Sequence, residues 1–168
     1  MCFCGEELRA MKHRLKTKTL VLLLASVIAP PAHPASLQEQ VICTAQAERY
    51  FKNSVYSGYN TVNNPAKYTV FVSHYDAGNQ ICFVGIEAIW NVPGGVSGNV
   101  LREERFVYDA IGGRHYATFS WHSGEGRKYW EVPPFKCHIT TISGEIINCK
   151  DHNEFDQLAR KTFGIFFK

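Results

Sequence analysis

The chain lacks an apolar run long enough to cross a bilayer. The stretch from Leu20 to Ala29 holds about ten residues, where a spanning helix needs about 20. It has no C-x-x-C and no His-Cys cluster at zinc-finger spacing, so no metal site is implied. No phosphate-cradling glycine loop and no convincing nucleophile occur, and no cofactor is called for. Internal repeats, linkers and low-complexity tracts are also missing. What remains is one domain of ordinary size, large enough to bury a real core.

The most telling segment is residues 11–35, which reads as an export signal. Lys12, Arg14, Lys16 and Lys18 form a basic n-region, the short apolar run follows, and Ala35 is a small residue suited to the position before cleavage. Pro30, Pro31 and Pro34 argue against a buried helix there. Cutting after Ala29 is the alternative, with Pro30 awkwardly past the bond. The n-region begins at Met11, which makes Met11 a candidate start. The expected organisation is an N-terminal extension and cleavable signal over 1–35 and a single globular domain over 36–168, with no transmembrane span after signal removal.

Export changes both the charge and the cysteine count. The full chain carries 18 basic and 15 acidic residues; residues 1–35 hold five and two of these, leaving 13 of each. A neutral domain lacks the field that would gather a nucleic-acid backbone, so no nucleic-acid partner is expected. Of six cysteines, Cys2 and Cys4 lie in the leader. Cys43, Cys82, Cys137 and Cys149 remain, an even number bound for an oxidising compartment, and two disulfides are predicted.

The pattern predicts an α+β domain: an N-terminal helix, an antiparallel β-sheet of about six or seven strands and a C-terminal helix, reinforced by disulfides. Ser36 and Glu39 form a capping-box pattern, and Cys43, Ala47, Tyr50, Phe51 and Ser54 recur at helical spacing, with the helix fading near Ser57 and Gly58. A loop over 59–67 precedes strands at 68–75 and 81–90, separated by an Asp-Ala-Gly-Asn turn. Cys82, Val84, Ile86, Ala88 and Trp90 share one buried face. A loop over 91–99 leads to a hairpin of 100–108 and 115–122; Ser123 to Gly126 break the chain before a short segment over 128–132, Pro133 and Pro134 interrupt it again, and a hairpin of 136–142 and 145–149 follows. Asp151 and Glu154 open the last helix, which runs to about Phe163, and the apolar tail beyond it docks on the sheet. Cys43 and Cys82 both lie on core-facing rows, and Cys137 and Cys149 come out nearly opposite in their hairpin. The predicted bonds are therefore Cys43 to Cys82 and Cys137 to Cys149, in register if the hairpin loop has three residues.

Ser73, His74 and Asp76 do not make a triad, because Ser73 points opposite to the other two in a strand. Asp76 and Asp109 are explained by turn chemistry. A two-histidine acid-base pair needs convergence; His115 and His122, seven apart in one strand, are expected on opposite faces, whereas His122 and His138 meet only if their strands are neighbours. The densest cluster is Trp121 to Trp130, in which a Gly-rich loop bears His122, Glu125, Arg127 and Lys128 between two Trp residues. That composition suits a partner protein or a sugar, although Trp121 shares a face with Phe119 and Ala117, which places it in the core.

Ser73-His74-Tyr75, Cys82-Phe83-Val84, Tyr129-Trp130-Glu131-Val132-Pro133-Pro134 and Cys137 together resemble a group of small exported proteobacterial proteins of unknown function. The resemblance covers most of the exported domain and implies export and a compact fold, with no reaction and no catalytic residues. The function expected is that of a periplasmic or secreted envelope protein, a non-enzymatic binding or inhibitor-like module engaging a protein or glycan. Its binding residues would be Tyr75, Trp121, His122, Arg127, Tyr129 and Trp130. The alternative is a small hydrolase of envelope polymers, with an acid-base pair drawn from His74, His122 and His138 and from Asp76, Glu125 and Glu131.

Overall fold

A computed structural model describes residues 34–61, 64–94, 98–123 and 131–167. The expected leader therefore lies outside the described residues, except for Pro34 and Ala35. Helix α1 spans Leu37–Asn53 and starts as its capping box requires: the Ser36 hydroxyl accepts from the Glu39 amide, and the Glu39 carboxylate accepts from the Ser36 amide at 2.8 Å. It stops earlier than the periodicity suggests, because Ser54 caps it and a 3₁₀ segment, Val55–Tyr59, takes over.

Seven strands follow: β1 Asn60–Thr61, β2 Asn64–Asp76, β3 Ile81–Gly94, β4 Gly98–Asp109, β5 His115–His122, β6 Lys136–Thr140 and β7 Ile146–Asn148. Each pairs antiparallel with its neighbour in sequence, giving a single meander in the order β1 to β7. Two expected loops are shorter than predicted. Strand β2 starts at Asn64, and β3 and β4 continue to a Gly94–Gly98 pair, because ladder hydrogen bonding carries on through residues whose composition alone favours loops.

The row Cys82, Val84, Ile86, Ala88 and Trp90 is buried as expected. The opposite row of β3, with Phe83 and Glu87, is buried too. Both faces of the sheet are covered at this strand. On the first face Ala47 of α1 packs on Val84 and Ile86, flanked by Tyr50, Phe51, Phe71 and Tyr108. On the second face lies the larger core, in which Phe83, Val107, Ala117, Phe119, Cys137 and Ile139 meet Phe155, Ala159 and Phe163 of α2, His152–Phe163. Phe163 stands 5.0 Å from Phe83 between ring centroids, and the tail folds back so that Ile165 is 1% exposed. Gly85 makes this return possible: a Cβ there would come within 2.6 Å of Ile165 and 2.9 Å of Val72.

The start of α2 holds half of the expected capping box. Asp151 accepts from the Glu154 amide, but the Glu154 carboxylate takes the Lys150 amide rather than that of Asp151. Gly164 ends the helix in the left-handed region, φ 66°, packed so tightly on the His74 ring that a Cβ would lie 2.5 Å from it.

Both disulfides join the predicted partners. Cys43 to Cys82 ties α1 to β3, with Cα atoms 5.3 Å apart, and Cys137 to Cys149 closes the last hairpin at 5.1 Å. Pairing of Thr140 with Ile146 and Ile139 with Ile147 puts the two cysteines in register, and the turn places Ile142, Ser143 and Gly144 between Thr141 and Glu145. Among the described residues no helix is long and apolar enough to cross a membrane. The two disulfides fit an oxidising compartment.

Candidate functional site

The expected binding residues do not form one surface. Trp121 is 4% exposed, and its indole N–H donates to the Val132 carbonyl at 2.8 Å. Tyr75 is half-buried on β2, where its amide donates to the Gln40 side chain of α1. His122 is exposed, with Phe135 at 5.4 Å. Arg127, Tyr129, Trp130 and Glu125 lie outside the described residues.

The acid-base set scatters as well. His74 faces the second side of the sheet against Gly164, whereas His122 and His138 face the first. Asp76 accepts from Gly78 and Asn79 in its own turn, and Asp109 accepts from Ile111, as turn residues do. Ser73 turns to α1, where its hydroxyl meets that of Thr44 at 2.9 Å.

A concave site does occur near Trp121, on the second face. Phe119 and Trp121 of β5 form its floor, Val132, Pro133 and Pro134 one wall, and Lys150, Asp151, His152 and Asn153 the other, at the start of α2; its volume is about 400 Å³. Position and composition follow from the fold. The Cys137–Cys149 hairpin leads into α2, whose first residues line the cleft with Phe119 and Trp121 of β5, and Val132, Pro133 and Pro134 precede β6 outside any strand. A second cavity of about 480 Å³ lies between α1 and the β4–β5 turn, lined by Gln46, Arg49, Tyr50, Asn53, Ser54, Ala110 and Ile111.

One expectation about the histidines is overturned. His115 pairs with Tyr108 and His122 with Arg102, positions six apart on β4 and hence on one face. The register shift near Tyr108 inserts one extra residue into β5, so an odd spacing returns both histidines to the first face. His138 joins them, because β6 neighbours β5 and His138 sits opposite Thr118. The His115 ring stacks on Tyr108 at 4.7 Å, and its Nε2 lies 2.8 Å from the Ala117 carbonyl and 2.9 Å from the Thr118 hydroxyl. Desolvation lowers the His115 pKa, with His138 and Lys136 acting in the same direction. Desolvation also pushes Tyr108 up to about 12, helped by Tyr50 and Glu104.

Sequence reasoning missed a buried charge cluster on the second face. Arg105, 6% exposed, reaches Glu87 at 2.8 Å, Glu103 at 2.9 Å and both oxygens of Asp156 at 2.5 and 2.6 Å. Burial opposes its charge, but the three carboxylates outweigh burial and raise its pKa. Glu87 goes the other way: desolvation exceeds the pull of Arg105 and raises its pKa, and its Oε2 is buried without a hydrogen-bond partner. The signal lay in Arg102-Glu103-Glu104-Arg105, where period two puts one opposite-charge pair on each face of a strand.

Neither a protein-family model, nor a curated protein, nor a solved structure matches this chain.

Proposed function

We propose that the protein is an exported binding module whose cleft over Phe119 and Trp121 receives an apolar side chain from an extended segment of a partner protein. The observation that carries this reading is the cleft itself: an aromatic floor, a wall with two prolines and a polar far wall, at a volume within the ordinary range for ligand sites. A protein ranks ahead of a glycan because the accessible apolar surface is the aliphatic wall of Val132, Pro133 and Pro134, whereas Phe119 and Trp121 beneath it are 1% and 4% exposed and leave little ring face for a sugar to stack upon. Lys150, Asp151 and Asn153 can bond the backbone on either side of the inserted side chain. The basic leader, the paired cysteines and the resemblance to exported proteobacterial proteins support the bacterial periplasm, or the exterior, as the place of work.

The test is a photo-crosslinking residue at Asn153, on the cleft rim, and another at Ile146, exposed on the other side of the sheet. Asn153 is expected to capture one defined envelope protein and Ile146 not to. Adding Pro133→Arg, which fills the cleft from an exposed position, should abolish that capture with near-UV circular dichroism unchanged. Equal capture from both positions, or capture that survives Pro133→Arg, would remove the cleft as the site.

A further inference from the structure

The first face of β4, β5 and β6 carries a segregated set of cations. Helix α1 reaches β4 through Tyr50 on Tyr108, the 3₁₀ segment covers Phe106 and Glu104 through Tyr56, and α2 lies on the second face, so among the described residues it is the first face of β5 and β6 that no helix packs upon. Across it the register sets Arg102 beside His122, Lys136 beside Ser120 and His138 beside Thr118, with His115 at the end of the row. His115, His122 and Lys136 are exposed, Arg102 and His138 half-buried, and the hydroxyl-bearing Thr118 and Ser120 form the floor between them.

Among the described residues of β4 to β6 the only carboxylate on this face is Glu104, and it is already bonded to Arg102 at 2.5 Å and to the Tyr56 hydroxyl at 3.4 Å. The carboxylates of Glu87, Glu103 and Asp156 are instead gathered on the second face around Arg105. Among the described residues of β4 to β6, this face therefore carries more cations than carboxylates. Arg102 is held in place between Trp90 at 5.5 Å and Phe135 at 5.6 Å, and His115 is fixed by Tyr108 and Thr118.

We propose that this face is a phosphate-binding site, in which Lys136, His138 and His115 hold a phosphate monoester over the Thr118 and Ser120 hydroxyls. Lys136 and His138 are two residues apart on one strand, about 7 Å along it, a gap that a phosphate with three acceptor oxygens bridges through a four-carbon lysine stem. The ester is a dianion above about pH 6 and loses half its charge below it. Burial lowers the His115 pKa, so His115 meets the ester near neutral pH as an uncharged hydrogen-bonding ring. Binding therefore weakens below about pH 6. The groups facing these imidazoles are Tyr108 and Glu104 from β4 and Lys136 from β6; Tyr108 stays neutral throughout this range and Glu104 stays paired with Arg102.

The phosphate can belong to a soluble ester or to a lipid headgroup, and calorimetry with glycerol phosphate beside flotation on phosphatidylcholine vesicles, with and without phosphatidic acid, distinguishes them. Saturable binding to either at neutral pH, weakening below about pH 6, is the expected result. Lys136→Gln should weaken it about tenfold, His138→Gln should weaken it as well, and Lys161→Gln on the exposed side of α2 should leave it unchanged. Independently, glycerol phosphate should move the imidazole resonances of His115 and His138 in the unaltered protein, which guards against a variant that fails to fold. Absence of binding to both probes, equal effects of Lys136→Gln and Lys161→Gln, or tighter binding of an oligonucleotide than of either phosphate probe would overturn the proposal.

Discussion

Replacing Arg105 with Met removes the one cation from a site that holds three carboxylates. Met keeps the aliphatic bulk against Phe167, whose ring lies 5.5 Å from the guanidinium, so the change isolates charge from packing. Glu87 is 2% exposed and Glu103 7% exposed, and neither has another cation among the described residues to turn to. Breaking a buried pair from one side costs about 3–5 kcal/mol. With a urea slope of about 2 kcal/mol per molar for a domain this size, the unfolding midpoint should fall by about 2 M at neutral pH.

The pH dependence has a definite sign. The Glu87 pKa is already raised in the folded protein, so its favourable contribution is fully present below its unfolded value and is lost as pH rises through the folded one. Without Arg105 the folded value rises further and the loss extends over a wider window, about 1.4 kcal/mol for each unit of added shift. The stability gap between the variant and the parent should therefore be small near pH 5 and large near pH 8. Urea titrations with the disulfides intact measure it, and Glu87→Gln added to Arg105→Met should recover part of the loss at the higher pH. A gap below about 1 kcal/mol at neutral pH, or one that does not grow with pH, would refute this account of the cluster.

Gly85→Ala forces a methyl against Ile165 and Val72 and should destabilise by about 1–3 kcal/mol while loosening the tail, seen as faster carboxypeptidase removal of residues 166–168; an unchanged rate would contradict the contact. Removing Cys43 and Cys82 together should cost about 4 kcal/mol against about 3 for Cys137 and Cys149, because the closed loops span 39 and 12 residues, and urea midpoints in the reverse order would count against the loop-entropy explanation.

Local chemistry carried much of this fold into view. Ser36, Glu39 and Asp151 announce helix starts through their own side chains, and the alternation of Cys82 to Trp90 announces one buried face, so both disulfide pairings follow from residues that speak for themselves. What escaped was set by tertiary contact. Phe83 is buried under Phe163 of α2 and Glu87 against Arg105 of β4, contacts that the pattern of β3 does not encode. The shared face of His115 and His122 hinges on one extra residue near Tyr116, and strict period-two counting errs wherever such a residue is inserted. The cleft was not foreseen: the expectation is an aromatic surface over Trp121 to Trp130, of which the cleft uses Trp121 alone, and Lys150 to Asn153 reach it where the second disulfide folds the chain back.

Strand β1 pairs only with Asn64 and Pro65, so among the described residues the outer side of β2 from Ala66 to Asp76 has no partner strand, whereas the opposite margin is the three-residue β7. The sheet is therefore unequal at its two sides: one offers a long row of backbone amides and carbonyls, the other almost none. Edge-to-edge assembly at high concentration is expected to begin along β2.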